Sequence, residues 1–163
     1  MATSTIDTTL VDDGLTGATF ARQVKTQLDA AKTDIESAFT TTVTRPADGS
    51  AGAATAETTI ACTKTAVTLS AIRLCADGAV VADDTDYLTI TVKKADGAGG
   101  ASSTVAEATS KVTGGIAIAA RTKVSLGSLT GATLAAGSIL TVTVAKSGAG
   151  KALPTHSLIL EFA

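Results

Sequence analysis

The sequence predicts a mainly β protein: an antiparallel β-sandwich of jelly-roll-like type, preceded by an N-terminal arm and one amphipathic α-helix. Three observations predict it. Apolar and polar residues alternate strictly in several stretches beyond residue 66, the period of a half-buried strand. Gly-rich turns punctuate those stretches at short intervals. Near the N-terminus the apolar spacing is instead three and four, the period of a helix.

The elements follow in chain order. Residues 1–14 are polar and Thr-rich without periodicity, and read as an arm that frays unless a partner or an oligomer mate holds it. From Thr16 to Phe39, Ala21, Val24, Leu28, Ala31, Ile35 and Ala38 recur with alternating spacings of three and four. Arg22, Lys25, Asp29, Lys32 and Glu36 fall between them. This is a helix with a narrow, heptad-like seam. It can pack on its own domain or join copies of the chain, and in the second case the seam is the assembly interface. Residues 40–57, rich in Gly, Ala and Thr and holding Pro46, read as a linker. Residues 58–163 are the sandwich body, so the predicted organisation is arm and helix 1–39, linker 40–57 and body 58–163.

Within the body, Leu88, Ile90 and Val92 alternate with Thr89, Thr91 and Lys93. Leu140, Val142 and Val144 alternate with Thr141 and Thr143, and Leu158, Leu160 and Phe162 with Ile159 and Glu161. Each pattern marks an antiparallel strand with one face in the core. In VTLSAIRL the parity slips, because Val67 and Leu69 are odd while Ile72 and Leu74 are even. One extra residue near Ser70 and Ala71, a β-bulge, returns both pairs to the core. Shorter strands are predicted at 102–109, 115–119 and 122–126. Asp96-Gly97 within ADGAGG supplies the positive φ of a hairpin turn after the strand at 88–94.

Composition narrows the function classes. Ala and Thr fill more than a third of the chain, so any core is built of small residues. A net charge of −2 argues against a phosphate-gripping nucleic-acid binder. Phe20, Phe39, Tyr87 and Phe162 are all the aromatics, too few for a base-stacking or sugar-stacking platform. No run approaches the ~20 apolar residues of a membrane span, and the first residues lack the basic and apolar regions of a signal peptide. The chain is therefore expected to be made and folded in a cytoplasm, with neither nucleic acid nor membrane as partner. Charged residues at 17% are sparse for a soluble surface, which suggests that part of it is covered by another protein.

Few side chains could carry chemistry. Cys62 and Cys75 form no CxxC or Cys/His cluster and read as small buried hydrophobes, with a disulfide between neighbouring strands as the alternative. His156, in LPTHS, is the only histidine that a catalytic triad could use, and reads as an exposed residue in a turn before the last strand. Asp83, Asp84 and Asp86 form a weak calcium candidate, because clustered carboxylates suit a hard cation, but the EF-hand spacing is absent. SGAGKA at 147–152 lacks the first Gly, the final Ser or Thr and the following helix of a phosphate loop. No catalytic residue and no cofactor is expected, so the chain reads as structural rather than enzymatic.

Two stretches carry a resemblance. AVVADDTDYLTITVKKADGAGGASSTVAEAT and LAAGSILTVTVAKSGAGKALPTHSLILEFA combine an acidic loop entering a Tyr-led strand, a Gly-rich hairpin turn and a closing aliphatic strand. In these features residues 66–163 resemble the capsid decoration (cement) and head-fibre-like proteins of tailed bacteriophages. The resemblance implies a β-sandwich bound in many copies to the outside of an icosahedral head, assembled in the host cytoplasm. Its partners would be the major capsid protein and other copies of itself, as a dimer or trimer. The alternative, from a different function class, is a receptor- or glycan-binding head-fibre or tail-associated adhesin whose loops, including 77–86 and 96–101, touch the host.

Overall fold

The computed structural model describes residues 22–30, 40–45 and 57–163. The chain divides into two units, Met1–Phe39 and Thr40–Ala163. In the first, residues 22–30 are helical (α1), with Lys25 and Asp29 paired at 2.5 Å one turn apart and the Thr26 hydroxyl donating to the Arg22 carbonyl at 3.0 Å.

The described residues of the second unit form nine strands: β1 (Thr40–Arg45), β2 (Thr58–Cys62), β3 (Val67–Ala76), β4 (Leu88–Ala95), β5 (Ser103–Thr109), β6 (Lys123–Ser125), β7 (Thr133–Leu134), β8 (Ile139–Lys146) and β9 (His156–Phe162). They form two antiparallel sheets, ordered β1-β9-β3-β6 and β2-β8-β4-β5, with β7 added beside β3. The pairs β1·β9, β2·β8, β3·β6 and β4·β5 are nested in sequence and fall alternately into the two sheets. That is an antiparallel ribbon rolled on itself, the jelly-roll arrangement.

The alternation explains the burial. Leu88, Ile90, Val92, Leu140, Val142 and Val144 from one sheet and Ile72, Leu74, Leu158 and Leu160 from the other are buried in one cluster. Leu126, Leu134 and Leu153, all fully buried, join it from outside the long strands. In β3 the register against β9 shifts between Leu69 and Ala71, leaving Ser70 as the extra residue. The bulge expected from the parity slip is there, and Leu69, Ile72 and Leu74 all reach the core. β4 and β5 form the expected hairpin. Gly97 in its turn has φ +76°, and a Cβ there would lie 2.2 Å from the Gly137 carbonyl oxygen, so only glycine fits without backbone movement.

Three expectations need correction. Residues 40–45, read as the start of a linker, are β1 and pair with β9 along their whole length. Their TTTVTR sequence has strong β-propensity, which the neighbouring Pro46 and Gly-rich run obscured. Residues 115–119 form no strand; Ile118 makes only a single bridge to Val80. The segment 122–126 shortens to Lys123–Ser125.

Candidate functional site

One end of the sandwich gathers the β3–β4 connection (77–87), the β5–β6 connection (110–122) and the β8–β9 connection (147–155). Here stand the acids that the sequence singled out. Asp83 Oδ1 accepts the backbone N–H groups of Thr85 at 2.8 Å and Asp86 at 3.0 Å, an Asx turn closed on its own loop. Its Oδ2 faces the Lys151 ammonium at 3.4 Å. Asp84 reaches across to the next connection, where Oδ1 accepts the Thr113 N–H at 2.9 Å and Oδ2 the Thr113 hydroxyl at 3.0 Å. Asp86 reaches the third, its Oδ1 accepting the Ala149 N–H at 2.6 Å.

The electrostatics follow from these bonds. Backbone N–H groups of Asp86 and Thr85 hold the Asp83 carboxyl below its ordinary pKa. The Thr113 N–H does the same for Asp84. Behind them the Lys111 ammonium lies 4.3 Å from the centroid of the Tyr87 ring. A hydrogen bond with Ser147 and then the Lys111 charge lower the phenol's pKa. The acids are therefore splints, each tying a different stretch of backbone. Among the described residues no three His, Cys, Asp or Glu side chains are grouped to hold a metal ion. The three carboxylates of the calcium candidate, Asp83, Asp84 and Asp86, are aimed at three separate backbone segments.

His156 is also placed differently from expectation. It is the first residue of β9 and only 2% exposed. Its Nδ1 lies 2.9 Å from the Pro154 carbonyl, which can only accept, so Nδ1 carries the proton. The signal was present in the sequence: His156 shares the parity of the inward residues Leu158, Leu160 and Phe162. The cysteines correct the other way. Cys62, on β2, is exposed and Cys75, on β3, half-buried; both are free thiols, and their strands belong to different sheets.

The 96–101 turn lies at the opposite end of β4 from the acidic loop, a strand length of roughly 26 Å away at ~3.3 Å per residue. Those two loops cannot form one binding surface on a single copy. A shallow open pocket of about 280 Å³ beside that turn is lined by Lys94, Asp96, Ser103, Thr133 and Ser138, among others. Its two charged side chains are engaged. Lys94 donates to the Gly131 and Thr133 carbonyls at 2.5 and 2.9 Å, and Asp96 accepts the Ala98 and Gly100 N–H groups.

The helix is the remaining candidate. Of the predicted seam, Val24 is half-buried and Leu28 is 64% exposed; Ala21, Ala31, Ile35 and Ala38 lie outside the described residues. Comparison with known protein families, with curated proteins and with solved structures finds no match to this chain.

Proposed function

We propose that this is a virion structural protein of the capsid-decoration class, bound in many copies to the outside of an icosahedral phage head. The reading rests on the resemblance of residues 66–163. The observation that carries it furthest is the use to which the body puts its polar groups. Asp83, Asp84, Asp86, Asp96 and Lys94 are bonded to the protein's own backbone, as a rigid brace requires and a site that grips a ligand does not. The jelly roll is an architecture that viral capsid domains use among others, a fold-level analogy that adds modest weight. The 64% exposure of Leu28, a large apolar side chain, supports the seam as the element that joins copies or docks them. Many weak symmetric contacts then act together, so that avidity replaces single-site affinity.

The test compares the full chain with a Leu28→Asp/Ile35→Asp variant in co-sedimentation with expanded heads that lack the protein. Saturable, high-copy binding by the full chain alone, at unchanged β content, is the expected result. Equal binding and equal oligomer mass for the two would refute the seam. Absence of binding by both, with attachment of the full chain to whole cells, would favour the adhesin instead.

A further inference from the structure

A sandwich has four edges, and three of these carry a device that blocks further pairing. β2 is broken by a bulge between Thr59 and Ala61. β5 is covered, its Val105 and Thr109 carbonyls accepting the Thr130 and Ile116 N–H groups at 2.8 and 2.7 Å. β6 is only three residues long. β1 differs: it is six residues, in unbroken register on β9, without Pro or Lys, and among the described strands it pairs with β9 alone. Natural sheets protect such edges unless another strand covers them.

We propose that β1 is covered by β1 of a second copy, antiparallel about a twofold axis, so that the β1-β9-β3-β6 sheet runs on through the interface. This rests on the reading that the protein assembles in copies. The strand is self-complementary. A continuous sheet requires residues of like parity to face each other, since a one-residue slip would turn the core face outward. Of the registers that satisfy this, two pair five of the six residues of each strand. Centred on Thr42, Thr42 meets Thr42 of the second copy and Thr41 meets Val43. Centred on Val43, Val43 meets its own copy, Thr42 meets Thr44, and Thr41 meets Arg45. In the first register threonines face threonine or valine across the strands; in the second Thr42 faces Thr44 and valine faces valine, both favourable pairings, with Thr41 opposite Arg45. The one charge, Arg45 at the end of the strand, never meets its like. Arg45 is already anchored within its own copy, its Nη2 donating to the Thr58 hydroxyl at 3.2 Å. A twofold pairing of this kind is isologous and closes, so it yields dimers rather than fibres.

The experiment is residue-resolved amide hydrogen exchange on the full chain, above and below its dissociation concentration, with mass measured in parallel. In an open edge strand only alternate N–H groups face β9, and the others exchange freely. The expected result is slow exchange at all of Thr41–Arg45 in the assembled form, with the alternate amides speeding up at least ~100-fold on dilution to monomer. Assembled protein of confirmed mass whose alternate β1 amides exchange as fast as in the monomer would overturn the edge pairing and leave the assembly reading standing. A chain monomeric at every concentration, and bare of shells, would sink both.

Discussion

Deleting Ser70 should be nearly harmless, whereas deleting Arg73 three residues later should be costly. Ser70 is the residue that β9 does not match: Leu69 pairs with Phe162 and Ala71 with Glu161. Without it, Val67, Leu69, Ile72 and Leu74 fall into simple alternation and all still point inward, and the pairing of Val67 with Leu134 in β7 is undisturbed. What is lost is the local bend and twist of the bulge, which should cost no more than ~1 kcal/mol. Deleting Arg73 leaves no such escape. If the bulge persists, Leu74 turns outward; if it is absorbed, Ile72 does. Both are fully buried, and losing either from the core costs about 2–5 kcal/mol, counting the cavity left behind. The lost Arg73–Glu161 contact, at 2.7 Å and about a third exposed, adds about 1 kcal/mol. Urea denaturation followed by far-UV circular dichroism measures both. The two deletions should differ by at least ~2 kcal/mol, with comparable m-values. Equal destabilisation would refute the claim that parity, rather than the bulge itself, fixes what this strand buries.

Two further predictions concern the loops. Gly148→Ala adds a Cβ 2.1 Å from Asp86 Oδ1 and 2.7 Å from the Thr85 carbonyl at φ +63°. Left-handed strain plus the displaced Asp86–Ala149 bond should cost about 2–4 kcal/mol in the same denaturation assay. Asp83, Asp84 and Asp96 all have pKa values held below the ordinary carboxylate range by backbone N–H bonds. Their stabilisation is therefore fully present above the unfolded pKa of about 3.9 and is lost as pH falls through the lower folded values. Melting temperature measured from pH 6 down to pH 2 should decline below about pH 4, and Asp84→Asn should flatten part of that decline. A decline of identical size in Asp84→Asn would remove Asp84 from the account.

Much of the fold was legible because half-buried strands write their faces into the sequence. β4, β8 and β9 announce themselves by alternation, and β3 by alternation with one slip that has a single simple repair. The strands that escaped are those whose role depends on a neighbour. β1 is a threonine run that becomes a strand by pairing with the β9 edge beside it, and β7 is two residues with no period to detect. The acids were located correctly in a loop, but nothing in DDTD reveals that Asp84 would find Thr113 or Asp86 the backbone of Ala149. Those partners are brought together only when the ribbon rolls up. His156 misled because its polar neighbours and Pro154 outweighed its parity.

The central claim is that this protein braces a shell, and the most direct measurement is the thermal stability of expanded heads with and without it. Under the proposed function, phage heads lacking the protein would be titrated with it to saturation and melted by scanning calorimetry. The account predicts that bound protein raises the capsid transition and that the rise saturates at a fixed number of copies per head. An unchanged capsid transition at full occupancy would contradict the bracing role, even if binding itself were tight.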